Sequence, residues 1–70
     1  MRLNLVYARK EKNLKRSEMA KSLDVAYETY CQYETGRRCP SGKVIIRLEQ
    51  FFGIPASELL AESEEEAITN

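Results

Sequence analysis

Glu18-Met19-Ala20-Lys21-Ser22-Leu23-Asp24-Val25-Ala26-Tyr27-Glu28-Thr29-Tyr30-Cys31-Gln32-Tyr33-Glu34 is the stretch whose reading decides the fold. Its apolar positions (Met19, Leu23, Val25, Tyr30 and Tyr33) recur at helical spacing, not in the alternation of a strand. They describe two short helices, about residues 16–23 and 26–34, joined by a turn at about Asp24 to Ala26. Asp24 suits that break. The residue closing a helix is often left-handed, where glycine is best and Asn or Asp are tolerated. Ala20, one residue after Met19, is small enough to let the second helix cross closely. Two helices crossing steeply over a short turn make a helix-turn-helix, whose second helix projects into the DNA major groove. The same pattern also fits a plain helical hairpin with no such role.

The flanking sequence supplies the rest of a helical domain. Leu5 and Ala8, three apart, mark a first helix of roughly residues 3–12, closed by Asn13. Gly36 and Cys39-Pro40-Ser41 separate the third helix from a fourth, over about 42–52, that carries Ile45, Leu48, Phe51 and Phe52. Ser41 is the candidate N-cap of that helix, and Gly53 its stop. Leu59 and Leu60 mark a short fifth helix after Ile54-Pro55, with proline tolerated at a helix start. The expected fold is an all-α, compact five-helix domain over residues 1–61. Residues 62–70 are acidic and small, which predicts a frayed helix end or a disordered tail.

Bulk properties narrow the function. Seventy residues make one domain with a modest core. There is no apolar run of roughly 18 residues to span a membrane and no signal-peptide core, so a cytoplasmic location is expected. Two cysteines, Cys31 and Cys39, make no disulfide framework, and without histidine a zinc site is not expected. No histidine, no pocket-forming pair of carboxylates and no glycine-rich phosphate loop point to an enzyme or a cofactor.

The formal charge is zero, yet it is segregated. All eleven Lys and Arg residues lie between Arg2 and Arg47, against Glu11, Glu18, Asp24, Glu28 and Glu34. The other six acids (Glu49, Glu58, Glu62, Glu64, Glu65 and Glu66) follow. A polyanion responds to the cationic body, not to the average.

Asn13-Leu14, Glu18-Met19-Ala20, Leu23-Asp24-Val25, Thr29, Glu34-Thr35-Gly36-Arg37-Arg38 and Pro40-Ser41 resemble the phage-repressor and Cro-type (xenobiotic-response-element) helix-turn-helix family. Leu48, Phe52-Gly53-Ile54 and Ser57-Glu58-Leu59-Leu60 extend the likeness, which runs from about Leu5 to Leu60. The resemblance implies a five-helix domain that binds double-stranded operator DNA as a transcriptional regulator, usually a repressor and usually a homodimer. No membrane and no small-molecule ligand are expected, since no apolar run is long enough to span a bilayer and no ligand-binding domain follows the helical one.

By position, the resemblance puts base reading on Ala26, Tyr27, Glu28 and Gln32, with Thr29 close by. Gln32 can present donor and acceptor together to adenine, Glu28 can accept from cytosine N4, and Ala26 can touch a thymine methyl. Phosphate contacts would fall on Arg16, Arg37 and Arg38, flanked by Lys15 and Lys43. Arg9 and Glu34 match a pair that in the family bridges the first helix to the end of the third, a structural brace.

Departures accompany the likeness. Lys15 and Ala26 stand where Ser or Thr commonly caps a helix. Tyr30 replaces an aliphatic residue, so its hydroxyl needs a partner, and Glu49 replaces a small apolar one. Cys31 lies on the reading helix, where oxidation would weaken DNA binding, although nothing marks it as an activated thiolate. The alternative reading is a protein-interaction module of the same fold, an antitoxin or anti-repressor, using the 51–60 surface. Phe51, Ile54, Leu59 and Leu60 are the expected dimer surface.

Overall fold

A computed structural model describes residues 1–61, which form α1 (Leu3–Glu11), α2 (Arg16–Leu23), α3 (Tyr27–Thr35), α4 (Gly42–Phe52) and α5 (Ala56–Leu59). The expected tail at 62–70 lies outside the described residues. Five helices stand where five were expected, with small shifts. Ala26 is the N-cap of α3 instead of its first residue, and α5 is a single turn closed by Leu60.

Four breaks share one backbone device. Asn13 (φ 58°), Asp24 (φ 59°), Gly36 (φ 87°) and Gly53 (φ 69°) are all left-handed. An L side chain adopts that region at a cost, and Asn and Asp tolerate it because their short polar groups bond locally. Asp24 thus turns the chain between α2 and α3 within three residues, and its N–H donates to the Lys21 carbonyl at 3.1 Å.

The core is one cluster of Leu5, Met19, Ala20, Leu23, Tyr30, Tyr33, Val44, Leu48 and Leu59, drawn from all five helices. The α2–α3 pair packs most extensively, and the buried methyl of Ala20 permits the close crossing. Tyr30 and Tyr33 meet edge-to-face, with ring centroids 6.3 Å apart.

In α4 the buried line differs from the expected one. Val44 and Leu48, four residues apart, face the core and Phe52 packs against it, whereas Ile46 and Phe51 are exposed and Ile45 is half-buried. Val44, Ile45, Ile46, Leu48, Phe51 and Phe52 are all apolar, so composition alone leaves the facing side of this helix ambiguous. Phe51 instead lies edge-on to Phe52 and beneath the Lys12 ammonium, 5.4 Å from its ring centre.

Glu49, acidic where a small apolar residue is usual, does not disturb the packing of α4. It is exposed, and its Oε2 accepts a 2.7 Å bond from the Ala56 N–H, so it caps the first turn of α5. Of the expected dimer surface, Leu59 is wholly buried in the core and Ile54 and Leu60 pack against that core, which leaves Phe51 exposed.

Candidate nucleic-acid interface

Glu34, fully buried near the end of α3, organises the site. Its Oε2 accepts from Arg9 Nε at 2.6 Å and from the Tyr30 hydroxyl at 2.6 Å; its Oε1 accepts from Arg16 Nε at 3.1 Å. The expected Arg9–Glu34 pair is therefore present, and it is half of a larger cluster. Arg9 Nη1 also donates to the Leu14 carbonyl at 2.8 Å, which ties α1 to the start of α2. One carboxylate thus locks α3 to α1 and α2. Burying a carboxylate is tolerable only when cations and donors replace its water, and here three do. Among the described residues no buried side-chain nitrogen or oxygen lacks a hydrogen-bond partner.

The cluster also shifts its members. Burial, then the bond to Glu34 and its negative charge, push the Tyr30 hydroxyl far above the ordinary tyrosine range, outweighing the opposite pull of Arg9. For Arg16 burial works against the charge, but Glu34 outweighs it with smaller help from Cys31 and Tyr27, so the guanidinium is held above its usual value. Tyr30, unusual at its position, thereby has a partner for its hydroxyl that an aliphatic residue would not need.

Anchoring through Tyr30, Tyr33 and Glu34 turns the opposite side of α3 outward. Ala26, Tyr27 and Glu28 are exposed, and Thr29 and Gln32 are half-buried. With 3.6 residues per turn, Tyr27, Glu28, Cys31, Gln32 and Thr35 share this outer side, while Thr29 lies toward its edge. Thr35 on the outer side escaped the sequence reading. Of the cations expected at phosphates, Lys15, Arg37, Arg38 and Lys43 are exposed. Arg16 has a double situation, with its Nε committed to Glu34 and its side chain still 40% exposed.

Helix starts add backbone donors. No side chain bonds the first-turn N–H groups of α3 or α4, so Ser41 holds the N-cap position with extended backbone but without the expected cap bond. At α2, Glu18 accepts from the Lys15 N–H at 2.7 Å, which is half of a capping box, since an ammonium offers no lone pair for the other half. Open helix N-termini attract anions through these donors and the helix dipole.

Two arginines do not belong to the cationic exterior. Arg9 is in the Glu34 cluster, and Arg2 is only 4% exposed. Arg2 Nη1 donates to the carbonyls of Tyr33 (2.7 Å) and Arg38 (2.8 Å), Nε to that of Leu60 (3.1 Å), and Nη2 to Cys39 Sγ (3.3 Å). Sequence reading counted Arg2 only as charge. Its acceptors are mostly carbonyls, which every residue carries, so no sequence signal marks them.

The arrangement has counterparts among known proteins. The helix-turn-helix family model matches residues 5–59. The cryptic phage CTXphi transcriptional repressor RstR of Vibrio cholerae is 36% identical over 56 residues, covering 80% of this chain and 50% of that protein. An uncharacterized HTH-type transcriptional regulator of Methanocaldococcus jannaschii is 30% identical over 66 residues, 94% of this chain and the whole of that protein. The chain thus spans about half the length of the phage repressor it matches. No solved structure matches significantly. The left-handed turn at Asp24, the outward α3 and a family match over nearly all the described residues agree: the chain belongs to the Cro/C1-type helix-turn-helix family.

Proposed function

We propose that this chain is a sequence-specific DNA-binding transcriptional regulator, a repressor, that reads operator DNA with α3 in the major groove. The observation that carries the reading is the buried Glu34 cluster, which fixes α3 by one side and presents Tyr27, Glu28 and Gln32 on the other. A reading helix must be held rigidly, because base contacts discriminate only at hydrogen-bond distances. Residues 1–61 are the DNA-binding domain. Gln32 and Glu28 read base edges, with Tyr27, Thr29 and Ala26 beside them. Lys15, Arg16, Arg37, Arg38 and Lys43 hold phosphates, together with the open N-termini of α3 and α4. The relatives named above support the regulatory role. On a two-fold operator two copies would place their α3 helices about 34–36 Å apart, and exposed Phe51 with half-buried Ile54 and Leu60 is the surface for that pairing.

Selection of bound sequences from a random duplex pool, followed by fluorescence titration of the winner, tests the reading. Enrichment of one motif, bound at least about a thousandfold tighter than random competitor, is expected. Uniform weak binding or none removes it.

A second reading has one observation in its favour. Tyr7 is exposed beside a groove lined by Ala8, Ile54 and Leu59, with Glu11 and Glu58 also lining it. A protein-interaction module would use such a groove, and it would show no enriched motif in the same selection.

A further inference from the structure

An α-helix leaves its last four carbonyls without intrahelical donors. In α3 these belong to Gln32, Tyr33, Glu34 and Thr35. The Gln32 carbonyl accepts from the N–H groups of Gly36, Arg37 and Arg38 at 3.1, 3.0 and 3.3 Å. The next two carbonyls are taken by one residue from the other end of the chain. The Arg2 N–H donates to Glu34 at 2.8 Å, and Arg2 Nη1 donates to Tyr33 at 2.7 Å. Arg2 is therefore the cationic cap of the reading helix, and its charge sits at the end where the helix dipole favours a cation.

The same guanidinium reaches beyond the helix. Nη1 also donates to the Arg38 carbonyl, Nη2 to Cys39 Sγ and Nε to the Leu60 carbonyl. The loop that carries Arg37 and Arg38 is thus held from both sides: its N–H groups by the α3 carbonyl of Gln32, and its carbonyl by Arg2. A planar fork can serve acceptors in three directions at once, whereas an ammonium on a flexible stem cannot hold that geometry. Arg2 is also nearly excluded from water, so its guanidinium is not available for direct contact with a phosphate.

We infer that Arg2 is a positioning residue for DNA binding, which sets the Arg37–Arg38 loop against the end of the reading helix without touching DNA. The inference rests on the DNA-binding reading above. Its consequence is that phosphate binding by Arg37 and Arg38 depends on a residue at the opposite end of the chain.

Arg2→Lys keeps the charge, and with it the fold, while losing the fork; Arg2→Ala removes both. Three measurements on the full chain decide the matter: amide hydrogen exchange of Arg37 and Arg38, operator affinity, and the slope of log affinity against log salt. In Arg2→Lys the two amides should exchange at least about tenfold faster and affinity should fall about tenfold. The salt slope should become shallower by about 0.9 for each phosphate that is no longer neutralised. Replacing Arg37 and Arg38 together by alanine should then cost Arg2→Lys about tenfold less than it costs the wild type, because coupled residues are not additive. A folded Arg2→Lys or Arg2→Ala protein with wild-type affinity and slope overturns the inference. So does a protein that melts earlier yet binds DNA unchanged when folded, since Arg2 would then be scaffold alone. A wild-type chain that binds no duplex above random competitor removes the DNA-binding reading itself and this inference with it. That result comes from the wild-type titration, so the two failures are told apart.

Discussion

Replacing Tyr30 by phenylalanine tests the Glu34 cluster with the least disturbance. The ring stays in a fully buried site, and only the hydroxyl that donates to Glu34 Oε2 at 2.6 Å is lost. A hydrogen bond to a charged group contributes about 1.5–3 kcal/mol. The low end applies, because Arg9 Nε remains on the same oxygen at 2.6 Å and the carboxylate is not orphaned. The expected loss is therefore about 1.5–2 kcal/mol by urea unfolding. For a domain this small that is a fall in Tm of roughly 6–16 °C. Deleting Glu34 is a poorer test. It strands the buried Arg9 charge at about 3–5 kcal/mol, which is comparable with the whole stability of a chain of this length.

Alkaline pH adds a signature that belongs to this hydroxyl alone. The native state holds Tyr30 protonated, far above its ordinary value of 10.0, whereas the unfolded chain releases the proton near that value. The contribution of the hydroxyl is thus complete below about pH 10 and declines above it, by about 1.4 kcal/mol per pH unit. The wild-type advantage over Tyr30→Phe should vanish by about pH 11.5. Tyr7→Phe, at an exposed tyrosine, is the control and should lie within about 0.5 kcal/mol of wild type at every pH. If Tyr30→Phe is indistinguishable from that control at neutral pH, the Glu34 cluster does not hold α3 through this hydroxyl.

Three further outcomes are expected. Arg37→Ala should weaken all duplexes by a similar factor of about ten and lower the salt slope by about 0.9, measured by anisotropy from about 50 to 200 mM salt. Gln32→Ala should instead relax the preference at one base pair, by about 1–3 kcal/mol of discrimination, when single-substitution operators are compared; equal losses on all sequences would remove its base-reading role. Glu49→Ala should cost about 0.5–2 kcal/mol in thermal unfolding, because the Ala56 N–H at the start of α5 loses its acceptor. A neutral result would show that water serves that N–H equally well.

Much of this molecule was legible without coordinates. Helical spacing at Met19, Leu23, Tyr30 and Tyr33, and the left-handed residues Asn13, Asp24, Gly36 and Gly53, set the number and order of the helices, because these signals are local. Family likeness added the Arg9–Glu34 brace and the outward side of α3. Three features were decided only by tertiary structure. The buried line of α4 runs through Val44 and Leu48 and leaves Phe51 out, a choice between apolar faces that composition cannot make. Arg16 divides its guanidinium between Glu34 and the exterior because α2 crosses α3 at that point. Arg2, a terminal cation by its place in the chain, is buried because five helices bring the carbonyls of Tyr33, Arg38 and Leu60 around it. A local pattern specifies where a helix begins and ends. Which distant backbone groups converge on one guanidinium depends on how all the helices pack.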